Sequence, residues 1–221
     1  MAPGQIARSI LLLALAAAYL LLAHATTAGG VPSTAGALLA IAPYLLGALV
    51  LSWRSRHRLA LLLACLLAAA ALWANWTTLA AGFSWIYLLQ HAGTFAVLAI
   101  LLGRSLAPGA TPTISRLAMM VRAGPLPPLV ALYTRRVTLG WAVFFVVMSV
   151  SSLALYFSGQ IAAWSVFVNL LTAPLIVAVF LIEYLLRRRC IPAEMRTGLL
   201  ESVRVAFKAA TVLRPEQPSN R

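Results

Sequence analysis

The chain has 221 residues, 62% hydrophobic and 10% charged, and 17 Lys/Arg against 4 Asp/Glu give a formal net charge of +13. Soluble domains run at about 45–50% apolar and about 25% charged, so this composition, with a mean hydropathy of +0.94, excludes a soluble globular domain. All four acids are glutamates, Glu183, Glu194, Glu201 and Glu216, which excludes chemistry built on an Asp pair or an Asp-rich metal site, and two cysteines cannot make a disulfide framework.

A helix needs about 20 mostly apolar residues to cross about 30 Å of hydrocarbon. The first segment that qualifies covers residues 6–26, with Arg8 near its start. Its apolar core from Ile10 and the following Ala23-His24-Ala25 also resemble a signal peptide with a small-x-small cleavage site; an uncleaved span is the reading taken. After Gly29-Gly30-Val31-Pro32-Ser33 comes a second span over 34–53, with Pro43 inside it. The third covers 59–79 and the fourth 85–103, separated at Gly82. The fifth covers 137–157 and the sixth 163–186, separated by Ser158-Gly159-Gln160. Pro174 carries no N–H for the Leu170 carbonyl and predicts a kink in the sixth. The apolar runs are continuous rather than alternating, which excludes a β-barrel. The expected fold is an all-α integral membrane protein, a six-transmembrane-helix bundle over 1–192 with short amphipathic cytoplasmic helices.

Charge placement orients these spans. Arg8 lies at the start of the first, and Arg54, Arg56 and Arg58 lie between the second and third. Arg104, Arg116, Arg122, Arg135 and Arg136 lie between the fourth and fifth, and every remaining cation follows the sixth. The loops after spans one, three and five hold no charged residue. Cytoplasmic loops carry the Lys/Arg excess, so both termini are expected in the cytoplasm of a bacterial inner membrane.

Residues 104–136 form the longest polar stretch. Within it, Thr111 reads as an N-cap and Pro112 as the first helical residue. Ile114, Leu117, Ala118 and Val121 then recur at helical spacing, which predicts an amphipathic helix on the inner surface with Arg116 and Arg122 near headgroups. Pro127-Pro128 reads as the start of a helix that continues through Tyr133 into the fifth span. Over 193–221 a second amphipathic helix is expected, with Met195, Leu199, Val203, Ala206 and Ala210 on one face, followed by a disordered end. These cations attract anionic lipid headgroups or an acidic partner. The candidate contacts are Arg104, Arg116, Arg122, Arg135, Arg136 and Arg187. Nucleic acid is not an expected partner, because the cations are dispersed and no nucleic-acid motif is present.

Polar groups inside a bilayer are the default functional candidates. Glu183, with Arg187 one turn later, Tyr133 and Asn169 stand out. Asn75, Gln90 and His91 fit helix-to-helix hydrogen bonding. His24 and His91 lie at similar expected depth, but no haem-attachment motif accompanies them. Cys65 reads as a small buried hydrophobe and Cys190 follows three arginines. No Gly-x-Ser-x-Gly, His-Glu-x-x-His, P-loop or zinc-ligand cluster occurs. No catalytic residue, metal or cofactor is therefore expected.

From Gly103 onward the chain carries a set of blocks. They are Gly103-Arg104-Ser105-Leu106, Pro108-Gly109, Thr111-Pro112, Arg116-Leu117-Ala118 and Pro125-Leu126; then Tyr133-Thr134-Arg135-Arg136-Val137-Thr138, Trp141 and Phe144-Phe145. Trp164-Ser165, Phe167, Asn169, Ala173-Pro174, Phe180, Glu183-Tyr184 and Arg187-Arg188-Arg189 complete them. In these the C-terminal half resembles a family of uncharacterised bacterial inner-membrane proteins encoded beside acyl-carrier proteins and other enzymes of aryl-polyene and fatty-acid-like synthesis. The resemblance implies a non-catalytic accessory that docks acidic acyl-carrier-type partners on its arginines. A small lipid or metabolite transporter built around the Pro43 and Pro174 kinks is the alternative. A membrane enzyme acting on acyl or phospholipid substrates through Glu183 and Tyr133 is the third reading.

Overall fold

A computed structural model describes residues 3–29 and 33–192; the expected tail helix over 193–221 lies outside them. The described residues are helical, with no strand among them. In chain order the elements are α1 (Pro3–Ala28), α2 (Thr34–Arg54), α3 (Arg58–Ala74), α4 (Trp76–Ala81), α5 (Phe83–Ser105), α6 (Thr113–Arg122) and α7 (Pro128–Phe157). They end with α8 (Ile161–Ser165), a π-helix (Val166–Leu171) and α9 (Thr172–Cys190), which follow one another as a continuous apolar helical stretch. Among the described residues five helices are long and apolar enough to cross a membrane: Ile10–Ala28, Thr34–Arg54, Phe83–Ser105, Pro128–Phe157 and Ile161–Cys190. Leu46, Leu51, Leu89 and Val150 are among the many large apolar side chains that stay exposed along them, an arrangement that water opposes and hydrocarbon does not.

The third expected span is not one helix. The segment 59–79 breaks at Asn75, whose backbone N–H and side-chain Nδ2 both donate to the Ala71 carbonyl, at 3.2 and 2.9 Å. The side-chain bond is added to the helical one rather than replacing it, and the break lies in the Asn75 backbone, at φ −106° and ψ 21°. That leaves α3 with 17 residues, about 25 Å at about 1.5 Å per residue, short of the hydrocarbon thickness.

The chain forms two compact units. Unit 1 comprises Met1–Thr94 and Ser149–Leu175. In it α1 packs on α2, α8 and the π-helix, and α2 packs on α3 and α4. The core joins small residues, Ala23, Ala37, Ala40 and Ala92, to Phe83, Tyr87, Leu88, Tyr156 and Trp164. Small side chains let helix backbones approach closely, the main attraction open to helices that share an apolar solvent. Gly36 is the tightest such point, since a Cβ there would stand 2.6 Å from the Phe83 ring. Ser33 caps α2 by accepting the Gly36 N–H at 3.0 Å.

Both prolines are accommodated, by different means. Pro43 leaves the Leu39 carbonyl without a helical donor, and the Tyr19 hydroxyl donates to it at 3.1 Å. Gln90 Nε2 donates to the next carbonyl, Ala40, at 3.0 Å. Just ahead of Pro174, where a kink is expected, the helix takes the wider π form. Thr172 reaches five residues back, its backbone N–H and its hydroxyl both donating to the Phe167 carbonyl. A wider turn relieves the clash between the proline ring and the Leu170 carbonyl that a continuous α-helix would impose.

Unit 2 comprises Phe95–Met148 and Ile176–Arg221. Trp141 centres its core, with ring centroids 4.6 Å from Phe180 and 5.5 Å from Phe145. Phe145 in turn stands 5.7 Å from Phe95. Here α6 begins at Thr113 with Pro112 in the capping position, so the expected Thr111 cap is displaced by one residue and Pro112 offers no side-chain bond. Partners from neighbouring helices satisfy its first donors instead. Ser105 Oγ accepts the Thr113 N–H at 3.1 Å, and Thr138 Oγ1 accepts the Ile114 N–H at 3.3 Å.

Candidate functional site

The basic end of unit 2 is where the expected site residues converge. Glu183 lies on α9 with only 8% of its surface exposed, and a carboxylate at such a position needs partners. Arg187, one turn on, supplies them: Nη2 donates to Oε1 at 2.7 Å and to Oε2 at 2.9 Å, and Nε donates to Oε1 at 2.9 Å. The Tyr133 hydroxyl, from α7, stands 3.0 Å from both Oε1 and the Glu183 carbonyl oxygen and donates towards them. Three residues from two helices thus form one clamp. With its oxygens engaged by a guanidinium from α9 and a phenol from α7, Glu183 ties the two helices together.

Beside the clamp, α7 and α9 enclose a groove of about 430 Å³. Val137, Gly140, Trp141, Phe144, Val179 and Ile182 line it, while Tyr133, Arg136 and Glu183 stand at its polar end. Cys190, an exposed free thiol, also reaches it. An apolar trough with a cation at its mouth has the chemistry of an amphiphile site.

A second concavity, a cleft of about 530 Å³, is lined by Leu101, Arg104, Ser105, Ala110, Thr111 and Arg116. Its lining is evenly divided between polar and apolar surface, where the groove's is mostly apolar. The loop beneath it turns at Ala107-Pro108-Gly109-Ala110, with the Ala110 N–H donating to the Ala107 carbonyl at 3.1 Å and Gly109 at φ +78°. Pro then Gly at the two central positions of such a turn meets its backbone demands. Arg135 Nη2 donates to the Leu106 carbonyl at 2.8 Å, so this arginine, expected as a partner contact, fastens the loop.

Of the remaining candidates, Arg122 closes the last turn of α6, where a cation suits the helix dipole. Asn169 belongs to unit 1 and lies in the π-helix. There its Nδ2 donates to Thr27 Oγ1 at 3.1 Å and to Ser165 Oγ at 3.2 Å. Ser165 Oγ also stands 2.9 Å from His24 Nδ1. His91 Nε2 is 2.9 Å from Thr172 Oγ1, so each histidine has a ring nitrogen engaged by a hydroxyl. Cys65, expected to be buried, is half-buried and 3.4 Å from Ser52 Oγ. Among the described residues no group of three His, Cys, Asp or Glu is placed to hold a metal ion.

Asn169→Leu tests the π-helix cluster. It removes both donated bonds and leaves the buried Thr27 and Ser165 hydroxyls with fewer partners. The expected loss is about 1 kcal/mol, the scale of an interhelical bond in a membrane. A melt in detergent should show it as a fall of about 2–4 °C, and an unchanged midpoint would mean the cluster carries no stability.

Sequence reading missed the contributions of Ser105, Thr134 and Thr138, because a hydroxyl in an apolar helix does not show which neighbour it serves. Ser115 Oγ pairs with Thr134 Oγ1 at 2.7 Å in the buried interior, which turns that face of α6 onto protein. No family model, characterised protein or solved structure matches the chain.

Proposed function

We propose that this protein is a non-catalytic membrane accessory that receives acidic, acyl-carrying partners at its basic end and lodges their acyl chain in the α7–α9 groove. The groove carries this reading: an apolar trough opening beside Arg136 and the Glu183–Arg187–Tyr133 clamp suits a chain that enters from a negatively charged carrier. The resemblance of the C-terminal half to inner-membrane proteins encoded with aryl-polyene and fatty-acid-like synthesis supports the same class of partner. Long-range attraction between the arginines and an acidic carrier would raise the on-rate. In this reading α3 and α4 together make a sixth crossing, Arg58–Ala81, and both termini face the cytoplasm. The charge-free loops after α1, α4 and α7 support that arrangement.

Cys190 provides the test, since it is exposed and lines the groove. In a Cys65→Ser background, alkylation of Cys190 by a maleimide should slow when an acidic carrier protein bearing a palmitoyl chain is added. The unacylated carrier should protect far less. Protection should vanish in about 1 M salt, where the screening length is about 3 Å, and in Arg136→Glu. Equal protection by the unacylated carrier, or full protection in Arg136→Glu, would overturn the reading.

A further inference from the structure

We infer that the Arg104–Arg116 cleft is a binding site for the phosphate of an anionic phospholipid headgroup. Two guanidiniums from different helices line one cavity, Arg104 from the last turn of α5 and Arg116 from the first turns of α6. Both are exposed. Glu183 is the one acid among the described residues, and its carboxylate is engaged by Arg187. Two like charges held around one concavity repel, and an anion between them removes that cost. The guanidinium fork matches phosphate oxygens two at a time, and the Thr111 hydroxyl on the same wall adds a donor.

The walls are held before any ligand arrives. The Pro108-Gly109 turn is closed by the Ala110–Ala107 bond, Arg135 fastens Leu106, and Ser105 Oγ accepts the Thr113 N–H. Binding therefore orders little except the two arginine side chains, which keeps its entropic cost low. The cleft's surroundings favour a lipid over a free ion as the source of the phosphate. Leu101 lines the cleft, and it and Ile100 are each 57% exposed on a helix long and apolar enough to cross a membrane. The cleft therefore opens where an apolar outer surface gives way to arginine, the depth at which headgroup phosphates lie. This site is separate from the acyl groove and does not depend on carrier docking.

Native mass spectrometry of the full chain released from detergent tests it, with phosphatidylglycerol, diacylglycerol and inorganic phosphate as probes. Wild type should retain phosphatidylglycerol at least about tenfold better than diacylglycerol, which shares the tails and lacks the phosphate. Arg104→Gln/Arg116→Gln should lose that preference, whereas Arg54→Gln/Arg56→Gln, which removes two exposed cations at and just after the end of α2, should keep it. Arg104→Lys/Arg116→Lys keeps the charge and the fold but not the fork, and should retain the lipid several-fold less than wild type. Undiminished retention by the Gln pair would overturn the site, and full retention by the Lys pair would reduce it to charge alone. Saturation by inorganic phosphate without lipid, with displacement of bound phosphatidylglycerol, would uphold the phosphate site but overturn its assignment to a headgroup.

Discussion

Arg187→Leu is expected to lower the unfolding midpoint in detergent by about 5–10 °C, corresponding to about 2–3 kcal/mol at about 2–4 °C per kcal/mol for a chain of this size. An exposed i,i+4 pair would be worth only a few tenths of a kcal/mol. Here the carboxylate is 8% exposed, so losing its partner strands a charge in a site that water barely reaches. Broken buried pairs cost about 3–5 kcal/mol, and the 20% exposure of the arginine side chain argues for a smaller value. The diagnostic variant is the double one. Glu183→Leu/Arg187→Leu removes charge and counter-charge together and should return to within about 1 kcal/mol of wild type, because a matched apolar replacement of such a pair is near neutral. Tyr133→Phe should cost about 1 kcal/mol, one hydrogen bond. If the double variant melts as low as Arg187→Leu, the clamp is not an electrostatic unit.

Gly36→Ala is the second large effect. Most helical glycines gain stability when replaced by alanine, by up to about 1 kcal/mol. At Gly36 the added carbon would sit 2.6 and 2.7 Å from two carbons of the Phe83 ring, which is only 3% exposed. Overpacking of this kind costs about 1–3 kcal/mol and should outweigh the propensity gain. Gly47→Ala, on the same helix with nothing within 4 Å of the new carbon, should be neutral or stabilising. Phe83→Leu should partly rescue Gly36→Ala, and thermal melts of the four variants decide the matter. A stabilised Gly36→Ala would mean that α2 and the Phe83 ring are not in close contact.

The long apolar helices were legible because a continuous hydrophobic run has few other stable outcomes, and α7 begins at Pro128, as the double proline implied. The interruption of the third expected span at Asn75 was not legible, because hydropathy does not register a local break in an apolar run. Pro174 announced a disturbance of the helix, but the π-helix ahead of it was not legible from the missing N–H alone. At the site, the spacing of Glu183 and Arg187 made their pairing readable. The approach of Tyr133 depends on how α7 meets α9, which no local pattern encodes. Ser105, Thr134 and Thr138 were silent for the same reason, and so was the division of labour between Arg135, which fastens a loop, and Arg136, which opens onto the groove.

The way α6 is held has a consequence for biogenesis. It has 10 residues and no side-chain bond at its N-cap, and isolated helices below about 12–15 residues are marginal in water. Its first amide protons are accepted by Ser105, made before it, and Thr138, made after it. During synthesis the segment leaves the ribosome before Thr138 does, so its Ile114 donor gains this acceptor only when the downstream helix follows. The Arg116 wall of the arginine cleft thus acquires one of its fastenings only after the downstream helix has been delivered.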